Sequence, residues 1–342
     1  MADNIRRRDF LKLAALFAAT TGLHLTPVRG GVMGGGAQPE SESRPRPGQS
    51  SEDAQNRYAL NGLSNFKAIY GRQESRDAFL LFLTNVFNLY PEAEFHELIA
   101  DVSSKANTDK EIYQLVHARL GTIKPIFSEI RYALPALAKQ KAEMARQTRE
   151  LLGAVDRVDG YLEVGSTGRY LSRLRKEVEI KGDIVLVHTE APSYSPVDLV
   201  ERGRLFKSGR FVPLNDYAPV VDVDDGSLDL VTNYIGFHHA PLDKRDAFVA
   251  SLRRALRPGG RLILRDHDVD SDRMNHMVAL AHDVFNMGTD VDWSVNQREV
   301  RHFTAMADLI PYLEGFGFRC THKLLYQSGD PTRNALLEFV KI

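Results

Sequence analysis

From Tyr58 to about Val155 the apolar residues recur at three- and four-residue steps, a spacing that predicts helices. Phe79, Leu80, Leu83, Val86, Phe87 and Tyr90 mark one face, and Pro91 ends that helix or begins the next. Phe95, Leu98 and Ile99 give a short helix. Thr108 with Glu111 reads as a capping box opening another, which Gly121 closes. Ile126 to Leu152 reads as a longer helical stretch interrupted at Pro135. The aromatics of this segment, Phe66, Tyr70, Phe127 and Tyr132 among them, are read as helix core in preference to a lid. After Gly160 the texture changes to short apolar runs alternating with amphipathic stretches, the pattern of an α/β sheet. Strands are expected at Tyr161–Gly165, Asp183–Glu190, Phe211–Leu214, Leu228–Tyr234, Arg261–Arg265, Arg319–Tyr326 and Ala335–Lys341. The last two are separated by a gap that suits a hairpin loop.

The first of these strands runs into Glu163-Val-Gly165-Ser-Thr-Gly168, a turn in which two glycines permit close backbone approach before a helix begins. Glu190 ends the second strand a little over 20 residues beyond that turn, where an acid can accept both ribose hydroxyls of an adenosine cofactor. Asp225-Gly226 makes a turn before the fourth strand, and Arg257-Pro-Gly-Gly260 ends the helix before the fifth.

Composition narrows the picture in three ways. The 342 residues suffice for a sizeable core, and 43% hydrophobic with 26% charged residues is globular usage. The formal net charge of −1, with no basic stripe, argues against bulk nucleic acid as a partner. The one cysteine, Cys320, excludes an intrachain disulfide and a cysteine-rich zinc site, and reads as a small buried hydrophobe.

The first 37 residues stand apart. Arg7-Arg8-Asp-Phe10-Leu11-Lys12 resembles a twin-arginine export signal, followed by an apolar run from Leu13 to Leu25 too short and too broken for a comfortable membrane span. That resemblance implies the twin-arginine export machinery as a partner and an exported, periplasmic location, or a cytoplasmic one if the signal is not used. Membrane attachment follows only if the segment stays uncut. Residues 38–57 are rich in Pro, Ser, Glu and Arg and read as a disordered linker. The expected organisation is therefore a signal at 1–37, a linker at 38–57, a helical domain or lid at 58–155 and an α/β domain at 156–342.

From residue 156 onward the order of blocks resembles the class I S-adenosylmethionine-dependent methyltransferases. Glu163-Val-Gly165-Ser-Thr-Gly168 resembles their methionine-binding loop, Asp225-Gly-Ser-Leu-Asp229-Leu-Val their Asp-Gly-Ser-Phe-Asp-Leu-Val block, and Leu256-Arg-Pro-Gly-Gly260 their Leu-Arg-Pro-Gly-Gly block. The resemblance implies a doubly wound, mostly parallel seven-stranded Rossmann-like sheet with the final strand antiparallel, preceded by the helical segment. It implies S-adenosylmethionine as cofactor, with Glu163, Gly165 and Gly168 at its methionine end, Glu190 at the ribose, Asp216 and Tyr217 at the adenine, and Asn233 and Tyr234 facing the methyl group. The family loop usually carries glycine where this chain has Thr167 and Arg169.

Methyl transfer requires a nucleophile held near the methyl group, and often a base. His238, His239 and His267 lie after the fourth and fifth strands, outside the carboxyl ends where doubly wound sheets bind ligands, and are the candidate bases. Asp266, His267, Asp268, Asp270, Asp272 and His276 are read as a solvated acidic loop, with no metal expected. Trp293 either stacks on a planar substrate or packs in the core. The leading expectation is methyl transfer to a small-molecule acceptor. Two alternatives stay open: an exported non-catalytic binding module on the same fold, and a nicotinamide-dependent oxidoreductase.

Overall fold

The computed structural model describes residues 63–123, 134–234 and 236–342. The expected export signal and linker, and the start of the helical stretch predicted from Ile126, with Phe127 and Tyr132, lie outside the described residues.

The helical segment comprises α1 (Asn65–Tyr70), α2 (Gln73–Phe82), α3 (Glu92–Lys105), α4 (Asp109–Arg119) and α5 (Leu134–Leu152). The predicted Phe79–Tyr90 helix does not continue to Pro91. It widens into a π turn at Leu83–Phe87 and stops at Asn88, whose φ is 45°. Pro91 then caps α3, and Thr108 and Glu111 form the predicted capping box at α4. Pro135 is the second described residue of α5, so the predicted interruption there falls at the edge of the described residues.

The α/β part follows as β1 (Arg157–Val164), α6 (Leu171–Glu177), β2 (Glu179–His188), α7 (Pro196–Arg202), β3 (Arg210–Pro213), β4 (Leu228–Asn233), α8 (Leu242–Ala255), β5 (Leu256–His267), α9 (Asp272–Gly288), α10 (Trp293–Asn296), α11 (Met306–Glu314), β6 (Phe318–Cys320), β7 (Leu325–Tyr326) and β8 (Asn334–Lys341). The strand order is β3-β2-β1-β4-β5-β8-β6, parallel from β3 to β5 and antiparallel at β8, with β7 pairing β8. This is a doubly wound, mostly parallel, Rossmann-like sheet. The sheet has eight strands where seven were expected. The single strand predicted over Arg319–Tyr326 is divided, because His322 takes a φ of 57° and turns the chain out of the sheet. Cys320 is buried in β6, as its residue type suggested.

Alternation along the strands sends successive side chains to opposite faces. Leu162, Val164, Val185, Val187, Val231, Leu262 and Leu264 pack on one face with Phe248 and Leu252 of α8 and Leu309 and Leu313 of α11. Tyr161, Leu186, Leu230 and Ile263 pack on the other with Met144 and Leu151 of α5 and Leu171 and Leu174 of α6.

The helical segment is not closed on itself. Phe66, Phe79, Phe82, Phe95, Ile112 and Tyr113 share one core with Met277, Leu280, Val284 and Phe285 of α9. The α9 helix is buried on every side from Met277 to Gly288, which is why it can be apolar nearly all round. Trp293 meets Tyr113 edge-on at 5.3 Å in this core, so its packing reading is the one the structure supports.

The two most specific sequence blocks meet at the amino ends of the central strands. Asp229 accepts from Arg257 at 2.7 Å and from the backbone N–H of Asp159, tying the start of β4 to β1 and β5. They brace the end of the sheet opposite the candidate site.

Candidate active site

The glycine turn leaves β1 through Gly165 and Gly168, with φ of 86° and 97°. Several of its polar groups are satisfied locally, while Thr167 Oγ1 is buried without a hydrogen-bond partner among the described residues. Glu163 is fully buried and accepts from Tyr161 Oη at 2.8 Å, from Ser166 Oγ and from Tyr170 N. Ser166 Oγ in turn accepts from the N–H groups of Gly168 and Arg169, at 3.2 and 3.0 Å. Gly165 N donates to Val187 O of β2. Burial raises the Glu163 carboxyl above its ordinary value, with the Ser166 and Tyr161 hydrogen bonds opposing. The Arg169 side chain stands at a family glycine position, fully buried and ion-paired with Glu201 of α7.

The other residues carried by the resemblance are spread along the sheet edge. Glu190 is exposed just beyond β2, and its carboxylate is unengaged. Asp216 is exposed and paired with Lys244. Tyr217 is buried, donates to Gly236 O and packs edge-on against Phe248, so it belongs to the core and not to an adenine face. Asn233, fully buried at the carboxyl end of β4, has no hydrogen-bond partner for either amide atom among the described residues. An orphaned amide there costs about 1–3 kcal/mol unless a ligand or water satisfies it.

The chemistry concentrates one strand further along. Gly236, at φ 79°, starts a single 3₁₀ turn, Phe237–His239, that drops both histidines into the interior. There they meet Asp266 and His267 from the end of β5 and His282 from α9. His238 Nδ1 lies 2.6 Å from Asp266 Oδ1, and His238 Nε2 lies 3.0 Å from His282 Nε2. The remaining Nδ1 atoms face backbone carbonyls: Val300 O for His239, Thr332 O for His267 and Val278 O for His282. All four rings are buried. Desolvation, aided by neighbouring positive groups, lowers His238 and His239 to about 3 and His267 to about 4, and holds His282 well below its ordinary value. Burial raises Asp266 to about 6. At neutral pH these are uncharged imidazoles, suited to accept a proton or to ligate.

The acidic loop read as solvated is partly interior. Asp266 and Asp268 are buried, and Asp268 accepts from Met306 N, Tyr326 Oη and Arg333. Asp270 also pairs with Arg333, while His276 turns to Asn65 of α1.

A cavity of about 500 Å3 opens over this cluster, between the carboxyl ends of β4 and β5 and the helical segment. Tyr234, Arg265, His267 and His282 line it from the sheet and α9, and Phe82, Gln140 and Arg146 from the helices before the sheet. His238 reaches its wall; Glu163, Gly165, Gly168, Glu190, Asp216, Tyr217, Asn233 and His239 do not. Sequence reasoning missed His282. Its signal is three polar residues, His282, Asp283 and Asn286, inside the otherwise apolar stretch Met277–Gly288. Asp283 and Asn286 bind Asn296, Glu299 and Arg301, which back the cluster.

Comparison with known proteins identifies the part that carries this geometry. Residues 162–264 match the family model described as a methyltransferase domain. That match supports a class I methyltransferase with S-adenosylmethionine as cofactor. No curated protein matches. Among solved structures, the chain is similar to a possible exported protein from Bordetella parapertussis, at 17% identity over 81% of this chain and 95% of that one, TM-score 0.41. It is also similar to the CurJ carbon methyltransferase, at 13% identity over 78% and 70%, TM-score 0.44. A third is 1,6-didemethyltoxoflavin-N1-methyltransferase from Burkholderia thailandensis, at 15% identity over 60% and 80%, TM-score 0.41.

The residues present fit the cofactor of a methyltransferase domain at two points. Glu190 offers a carboxylate for ribose hydroxyls, and Asn233 offers an unsatisfied buried amide at the end of β4. The N–H groups of Gly165, Gly168, Arg169 and Tyr170 are engaged by Val187, Ser166 and Glu163.

Proposed function

We propose that this chain is an S-adenosylmethionine-dependent methyltransferase whose acceptor is a small molecule held in the 500 Å3 cavity. The observation that carries the reading is the position of that cavity. It opens at the carboxyl ends of β4 and β5 of a methyltransferase domain, with Tyr234, Arg265 and His267 in its wall, where doubly wound sheets take their ligands. When bound, S-adenosylmethionine supplies an electrophilic methyl group on a sulfonium. Glu190 would hold the ribose and Asn233 the polar end near the methyl group, with Asp216 at the adenine after release from Lys244. His267 is the base of choice. Its Nδ1 donates to Thr332 O, which leaves Nε2 to receive the acceptor's proton inside the cavity. An acidic hydroxyl suits so weak a base. His238 and His239 hold their Nδ1 atoms toward Asp266 and Val300 and stand behind it.

Calorimetric titration with S-adenosylmethionine and with NAD tests the cofactor. Binding of the former that disappears in Glu190→Ala supports the reading; binding of neither, or of NAD alone, overturns it.

A second reading has its own support. The glycine turn, with Ser166 Oγ taking the N–H groups of Gly168 and Arg169 and with Arg169 in a glycine's place, favours an exported non-catalytic binding module on the same fold. Export through the twin-arginine route rests on Arg7, Arg8, Phe10, Leu11 and Lys12. A reporter fused after residue 37 should leave the cytoplasm and should stay there in the Arg7→Lys, Arg8→Lys variant.

A further inference from the structure

We infer that His238, His239 and His282 form a binding site for one divalent transition-metal ion, zinc by preference, with its open coordination position facing the cavity. The inference goes beyond the proposed methyl transfer and does not depend on it. One ring nitrogen from each of the three histidines lies within 4.8 Å of the other two, in a fully buried setting.

Tautomer counting carries the argument. Val278 O cannot donate, so His282 Nδ1 must, and the neutral ring then presents a lone pair at Nε2. In the tautomer that donates from Nδ1 to Asp266 Oδ1, 2.6 Å away, His238 also presents a lone pair at Nε2. In these tautomers the two lone pairs face each other across 3.0 Å. Two neutral nitrogens in that arrangement repel; a cation between them turns the repulsion into ligation. Tetrahedral zinc, with Zn–N of about 2.0–2.1 Å, requires its ligand nitrogens about 3.3 Å apart, close to this separation. His239 adds the third nitrogen. Its Nδ1 is held at Val300 O, and its buried Nε2 has no hydrogen-bond partner.

The surroundings complete the case. Each ligand ring is oriented through its other nitrogen by a carboxylate or a carbonyl, the arrangement that fixes histidines on metals. Asp266 supplies negative charge to the site. Glu299 supplies more, with Oε1 3.9 Å from His239 Nε2, while its other oxygen and Asp283 neutralise Arg301. Three imidazoles with no sulfur suit zinc, and also nickel, cobalt or copper. His238 and His282 line the cavity, so the fourth position is open to an oxygen or nitrogen donor entering there.

The test uses the untagged full chain, stripped by chelator and titrated with Zn2+ and with Co2+, without cofactor or substrate. One equivalent should bind, and the cobalt form should show the intense visible bands of a tetrahedral site. His282→Ala should weaken binding more than about 100-fold and Asp266→Asn about 10–100-fold. His117→Ala, in a ring remote from the cluster and paired with Asp290, should leave binding unchanged. Failure to bind one equivalent, or unchanged affinity in His282→Ala, overturns the proposal. Should His282→Ala not fold, X-ray absorption of the wild-type zinc form decides. A first shell dominated by nitrogen at about 2.0–2.1 Å supports the site, and a shell with sulfur or with oxygen alone overturns it.

Discussion

Arg169 and Glu201 form an ion pair inside the protein, with side chains 1% and 5% exposed. The pair welds the glycine turn to α7 at a place where a family member would have only backbone. Breaking such a pair leaves a lone buried charge, at a cost of about 3–5 kcal/mol. Arg169→Met should therefore lose several kcal/mol in urea unfolding. Arg169→Met with Glu201→Leu should recover most of it. Equal loss in the single and double variants would show that the pair is not the determinant.

Lys141 donates to the carbonyls of Val200 and Glu201 at the end of α7, and burial lowers its ammonium to about 8, with Glu201 opposing and Arg169 reinforcing. The unfolded chain binds this proton near pH 10.5, the folded one near 8. Stability is thus fully present above pH 10.5, falls by roughly 3 kcal/mol as pH drops through that window, and is level below it. The difference in unfolding free energy between wild type and Lys141→Met should carry this slope between pH 8 and 10.5. A pH-independent difference would refute it. Glu163, Arg169, Arg173 and Glu201 face the same ammonium and stay in both proteins.

Gly288 ends α9 against Phe87 and Tyr90, and Tyr90 Oη donates to its carbonyl at 3.0 Å. A Cβ at this position would stand 2.5 Å from Phe87 Cζ. Gly288→Ala should cost about 1–3 kcal/mol through overpacking and should raise hydrogen exchange first in α2 and α3. Unchanged exchange there would mean that the contact relaxes freely.

Tyr234 reaches across to α5, with Oη 2.7 Å from Thr148 Oγ1, and its ring meets Tyr170 at 4.7 Å. Tyr234→Phe keeps the ring and strands the Thr148 hydroxyl, so about 1–2 kcal/mol of stability should go. In thermal unfolding this should show as a lower midpoint without a change in the number of transitions.

Much of the sheet was legible because strands buried on both faces are written as continuous apolar runs. Val185–Val187, Leu230–Val231 and Leu262–Leu264 are in this class. Their polar extensions were not: β2 begins at Glu179, four residues before the predicted start at Asp183, and there all side chains but Ile180 are solvated. β5 begins at Leu256, and Pro258-Gly-Gly260 lies in an irregularity within it and not in a turn before it. At the site, position along the chain placed His238, His239 and His267 on strand exits. The partner that gathers them, His282, comes from a helix whose burial depends on docking the segment before the sheet. No local pattern reports such docking. The sharpest motifs misdirected attention in one respect: Asp229 and Arg257 name the family but brace the far end of the sheet.

The shared core has a temporal consequence. Asn65 bonds to Asp283, 218 residues away, and the aromatics of the first helices have α9 as their packing partner. During synthesis those helices emerge long before the ribosome delivers that partner. They must wait with apolar faces open, so chaperone retention on the nascent chain should persist until residues 272–288 are made.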